Sequence, residues 1–206
     1  IYVDFDENLC AHSSHSLTGC SRCLDVCPAG AIVVAGDHVA IDPAVCGGCG
    51  MCGAVCPSGA AQTAFPPIDG SLTSLANLLH YYGEAGGTAA QLLLHDGQWG
   101  HEMIDMLARY GKGLPAALIP YEMHSVGRVG HDLLAGAVTL GFERIFVLMD
   151  PRKGPEYTSL HQQIELAEAL LTGTGVVSKN RFVLIDESDP DEVEQIFWQK
   201  AKTLSL

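Results

Sequence analysis

Eight cysteines carry the most specific chemistry in this 206-residue chain, and all of them fall between Cys10 and Cys56. The second group reads Cys46-x2-Cys49-x2-Cys52-x3-Cys56-Pro57. That spacing lets one tight loop present three thiolates to the corners of a 4Fe-4S cubane. Gly47, Gly48, Gly50 and Gly53 let the backbone pass close to such a core, with amides facing sulfide. The first group reads Cys10-x9-Cys20-x2-Cys23-x3-Cys27-Pro28. Its last three cysteines keep the pattern, and Leu17 stands where an unexpanded motif would put the first. Cys10 is the spare thiolate. Cysteines crowded into CxxC groups read as metal ligands in a reducing compartment, here expected to be the cytoplasm, rather than as a disulfide framework. Two alternatives stay open. One is a pair of structural zinc sites of four cysteines each. The other keeps the second cluster but leaves the first site with three irons or none.

The two groups belong to an internal repeat. Residues 5–10 align with 41–46, and Cys20, Cys23, Cys27 and Pro28 align with Cys49, Cys52, Cys56 and Pro57. The change in offset places one insertion between Cys10 and Cys20. It contains His12 and His15, either of which could replace a cysteine ligand and raise the potential. The polar run of Ser and Thr around them predicts a solvated loop instead.

On these motifs, residues 1–65 resemble a bacterial two-cluster ferredoxin. The resemblance implies an α+β domain of two hairpin-and-helix halves that passes single electrons at low potential. It also implies crossed ligation, in which the cysteine before each proline serves the other cluster. Cluster one would then use Cys10, Cys20, Cys23 and Cys56. Cluster two would use Cys46, Cys49, Cys52 and Cys27. Every cysteine is consumed.

Pro66-Pro67 punctuates the chain, and the texture changes beyond it. We divide it there into residues 1–67 and 68–206. Apolar periodicity predicts helices over 71–82, 101–110, 131–140 and 160–171. Between them lie four short apolar runs at 89–94, 116–121, 144–149 and 182–185. A last helix starts at Asp189-Pro190-Asp191-Glu192, with Asp189 as cap and Glu192 completing a capping box. Strands alternating with helices predict an α/β doubly wound, mostly parallel four-stranded sheet.

Polar residues gather where the strands should end, the rim at which such sheets bind ligands. They are His95 and Asp96; then Glu122, His124 and Ser125; then Asp150, Arg152 and Lys153. His95, Glu122, His124 and Asp150 are candidates for a metal site or an acid/base set, or the rim residues cap helices. Gly127-x2-Gly130 before a helix is a weak candidate for holding an anion. Trp99 reads as packing or as part of an electron path.

His124-Ser125-Val126-Gly127-Arg128-Val129, the helix after it and Ile145-Phe146-Val147-Leu148 resemble the small iron–sulfur subunit of hydrogenase and heterodisulfide reductase complexes. In that family cysteines at these strand ends hold a 2Fe-2S cluster. Here His95, Met123-His124 and Asp150 stand in their places, so that cluster is not expected. The resemblance implies a fold and a docking role.

Asp and Glu total 24 against 11 Lys and Arg, a net charge of −13. Such a surface repels nucleic acid and anionic lipid. It suits a basic protein partner. No apolar run reaches the length of a membrane span, and no signal-peptide pattern is present. The chain opens Ile1-Tyr2-Val3 without Met, as a processed protein or a piece of a longer one would. The expectation is an electron carrier serving a redox enzyme of the hydrogenase, heterodisulfide reductase or formate dehydrogenase type. The alternative is a redox enzyme subunit whose α/β part binds a flavin or another small molecule fed by the clusters.

Overall fold

A computed structural model describes residues 2–14, 17–176 and 180–201. The sequence repeat becomes two interlocked halves. β1 (Val3–Phe5) leads into a 3₁₀ turn at Glu7–Leu9, where the Asp6 carboxylate accepts from the Asn8 amide. The insertion folds back as a hairpin, β2 (Ser13–Ser14) against β3 (Leu17–Thr18). α1 (Arg22–Val26) and β4 (Ile32–Ala35) complete the first half. β5 (His38–Ile41), α2 (Met51–Val55) and β6 (Ala61–Thr63) form the second.

Antiparallel pairing ties the halves together: β1 runs against β6, and β4 against β5. The shared core is small. Val3, Ile32, Val39, Cys52 and Ala61 are buried, with Cys10, Cys23, Cys27, Cys46 and Cys56 packed around them. So little apolar surface calls for additional cross-links, which is what metal–thiolate bonds supply in small domains.

The loop expected between Cys10 and Cys20 is exposed at Ala11 and from Leu17 to Gly19, and His12 is the exception. The Gly19 amide donates to the His12 carbonyl at 2.7 Å, and the Ser13 amide reaches the Asp37 carbonyl at 3.1 Å. These bonds fold the segment onto the β4–β5 turn and bury His12, which is 5% exposed. His15 lies outside the described residues.

Beyond Pro66 and Pro67, α3 (Ile68–Glu84) precedes a βα series. It runs β7 (Gln91–Asp96), α4 (Trp99–Tyr110), β8 (Leu118–Met123), α5 (His131–Leu140), β9 (Arg144–Leu148), α6 (Thr158–Gly173), β10 (Phe182–Ile185) and α7 (Pro190–Lys200). The four strands form one parallel sheet in the order β10-β9-β7-β8. Both faces are covered. Leu92 and Leu94 enter a core with Leu75, Leu134 and Leu160, whereas Leu93 enters another with Leu107, Phe146 and Phe197. Adjacent strand residues point to opposite faces, so this alternation defines a three-layer stack.

Two expectations shift in detail. β7 and β8 end two residues later than their apolar runs, because the ladder continues through His95↔Glu122 and Asp96↔Met123. At α7, Asp189 caps as expected by accepting from the Asp191 amide. The Asp189 amide, however, donates to Glu187 Oε1 at 3.0 Å instead of closing a capping box with Glu192.

Candidate iron–sulfur site and sheet rim

Four cysteines from distant parts of the sequence line one cavity. Cys10 follows the first 3₁₀ turn, Cys20 and Cys23 flank the start of α1, and Cys56 follows α2; Phe5, Val39 and Ala61 supply apolar wall. Cys52 in α2 has Cys49, Cys46 and Cys23 as its charged neighbours. The two cysteine sulfurs at equivalent repeat positions each accept a backbone amide. Ala31 N donates to Cys27 Sγ at 3.3 Å, and Ala61 N to Cys56 Sγ at 3.4 Å. Each lies just past a Cys-Pro step of the repeat.

The thiols press on one another. Burial, then the neighbouring Cys20, Cys56 and Cys10, push the Cys23 thiol up. Burial and the Cys49 charge push Cys52 up to about 12. Burial opposes ionisation of Cys56 too, but the Ala61 amide, the Ser58 hydroxyl and amide and the Ala60 amide together bring it below the ordinary value. Crowded thiolates of this kind suit a cationic core that displaces their protons.

The donor set fits an iron–sulfur core better than single ions. Among the described residues, no three His, Cys, Asp or Glu side chains sit closely enough to hold one metal ion. Zinc would draw four sulfurs to about 2.3 Å from a single point. A polynuclear core gives each thiolate its own iron and spreads the sulfurs apart.

Residues 18–60 match the family model of the 4Fe-4S dicluster domain. The match points to iron–sulfur electron transfer. It takes in Cys20 to Cys56, seven of the eight cysteines, and leaves Cys10 outside. No curated protein matches the chain.

His12 was a candidate ligand in the insertion and now has a place. It lines the same cavity as Cys10, Cys20, Cys23 and Cys56, just ahead of the family match. Its Nδ1 donates to the Cys20 carbonyl at 2.7 Å, which fixes the ring beside the thiols. Its burial had no signal in the sequence, where it sits among Ser and Thr.

The rim of the sheet is not a metal site among the described residues. His95 Nδ1 donates to the Asp96 carbonyl at 2.9 Å, and burial holds its pKa below the ordinary value. Glu122 Oε2 pairs with His101 at 3.0 Å. Asp150 grips Arg152 through both carboxylate oxygens at 2.8 Å, and these bonds hold its pKa down against burial. His124 Nε2 reaches across to the Gly47 carbonyl at 3.4 Å. The candidates thus have four separate partners. Asp96 accepts the Gln98 and Gly100 amides at the start of α4, and Asp150 caps the 3₁₀ turn at Pro151–Tyr157. Trp99 packs on the Phe146–Phe197 core.

The glycines of Gly127-x2-Gly130 pack against α2. A Cβ on Gly127 would stand 2.9 Å from the Met51 side chain, and one on Gly130 would stand 3.4 Å from the Ala54 backbone. The Gly127 amide donates to Ser125 Oγ, and the His131 amide to Gln163 Oε1. The rim loop after β8 is therefore the surface on which α2 rests. Next to it, Cys49 shares a cleft with the ends of β7 and β8. Sequence reading missed this juxtaposition, since nothing in the Cys49 loop refers to residues more than forty positions away.

Proposed function

We propose that the chain carries single electrons at low potential through two 4Fe-4S clusters, to or from a redox enzyme. One observation carries the reading. Cys56, from the second repeat, lines a cavity with Cys10, Cys20 and Cys23 from the first. Crossed ligation requires that grouping. Cys10, Cys20, Cys23 and Cys56 would hold one cluster, and Cys46, Cys49, Cys52 and Cys27 the other. When bound, each cluster supplies a one-electron couple.

The residues of the chain do the rest. The half-buried cysteine core limits water, and the amides of Ala31 and Ala61 stabilise negative charge on sulfur. The acidic surface favours a basic partner, of the hydrogenase, heterodisulfide reductase or formate dehydrogenase type, in a reducing cytoplasm. Residues 68–206 form the docking part. No helix among the described residues is long and apolar enough to cross a membrane.

The test is an anaerobic potentiometric titration. Reversible one-electron bleaching of visible absorption at low potential supports the carrier. Clusters that no accessible potential reduces would leave them as structural staples only. Cys46→Ser should remove about four irons per chain, and unchanged iron contradicts the crossed assignment.

A further inference from the structure

The cleft beside Cys49 has a volume of about 590 Å³, within the range of small-molecule sites. It lies where parallel sheets bind ligands, beyond the carboxyl ends of β7 and β8. Three features of its wall narrow the occupant.

The first is apolar and aromatic. Phe65, 86% exposed, stands with Tyr121 and Met123 along the wall. An uncovered ring beside a tyrosine and a methionine suits a flat ring system. The second is charge. The chain has 11 Lys and Arg against 24 Asp and Glu, yet Arg128 and Lys153 both border this cleft. The one carboxylate in the wall, Glu122, is paired with His101. A cationic wall on an acidic protein selects an anion. The third is Cys49 itself, which brings the redox centre of the proposed function to the wall.

We propose that this cleft binds a flavin of the mononucleotide class, its ring on Phe65 and Tyr121 and its phosphate toward Lys153, with the Arg128 charge adding to the field. The redox part of the inference rests on the electron-carrier reading, since a flavin exchanges electrons singly with a one-electron carrier. The binding part rests on the cleft alone.

The probe is flavin mononucleotide itself, titrated anaerobically into iron-loaded protein and followed by quenching of flavin fluorescence and by ultrafiltration. One equivalent should bind saturably. Lys153→Glu and Phe65→Ala should each weaken binding by about tenfold or more without changing iron content. Adenosine monophosphate, which has the phosphate but no flavin, should bind at least about tenfold more weakly. No saturable binding, equal binding by both variants, or equal binding of adenosine monophosphate would overturn the proposal. Iron and sulfide content are read on the same samples. Protein that binds flavin but holds no iron contradicts the carrier reading and leaves the cleft standing; iron without flavin binding does the reverse.

Discussion

Arg128 donates through Nη2 to the carbonyl oxygen of Pro66, 2.6 Å away, and the same nitrogen reaches Thr63 Oγ1 at 3.1 Å. Arg128 belongs to the loop after β8, and Thr63 ends β6 of the cysteine-rich part. These bonds therefore join the sheet rim to the strand that closes the ferredoxin-like halves. Arg128→Met keeps much of the aliphatic packing and removes the donors. It should cost about 2 kcal/mol in urea unfolding, the scale of charge-assisted bonds in a partly buried place. Iron content should stay unchanged. An unaltered unfolding midpoint would show that the junction does not depend on these bonds.

Gly50 meets the same junction from the other side. Its φ is +79°, and a Cβ there would stand 2.7 Å from both Arg128 Cβ and Thr63 Cγ2. Gly50→Ala should lower stability by about 2–3 kcal/mol through backbone strain and overpacking. Gly173→Ala, at the end of α6 and away from the cysteines, is the control, because a Cβ at Gly173 meets nothing within 4 Å. Thermal unfolding of the two variants should separate them clearly. Equal melting temperatures would contradict the close packing.

Much of this architecture was legible in the sequence. Helix and strand periodicity located the elements after Pro67, because the inner strands β7 and β9 are buried on both faces and each helix on one. The Cys-Pro repeat located the two halves. The junction was not legible. Gly127, Gly130 and Gly50 looked like glycines for an anion or a cluster, and only the fold shows α2 lying on the β8 loop. His12 was hidden for a similar reason. Its burial comes from bonds to Gly19 and Cys20 that close the hairpin, not from apolar neighbours in sequence. The end of β7 was missed because His95 and Asp96 are polar yet buried, one bonded to a carbonyl and the other to helix amides.

Two titrating groups give the α/β part a defined acid response. Burial lowers the His95 pKa, so its neutral form is favoured in the fold. That contribution is present above the unfolded value of about 6.5 and is lost as pH falls through the lower folded value. The bonds from Arg152 lower the Asp150 pKa against burial. Its contribution is present above the ordinary carboxyl value and is lost as pH falls through a folded value below 3.8. Urea midpoints should therefore decline first below about pH 6.5 and again below about pH 4. Arg152→Ala should raise the Asp150 titration seen by carboxyl carbon NMR. An unmoved midpoint would contradict the assigned cause.

Cys10 is the ligand on which the proposed first cluster would depend, and among the eight cysteines it alone lies outside the family match. Cys10→Ser should lower iron by about four per chain, or leave a three-iron centre with its own EPR signal. Cys10→Ser combined with Cys46→Ser should lower it by about eight. Full iron in Cys10→Ser would contradict its place in the cavity with Cys20, Cys23 and Cys56.

Two neighbouring clusters in one small fold, as proposed, are tested most directly by iron and sulfide analysis with EPR of the anaerobically purified, reduced protein. About eight irons and eight sulfides per chain, with S = 1/2 signals broadened by mutual coupling, are expected. Four irons with a single uncoupled signal, or zinc in place of iron, would contradict it.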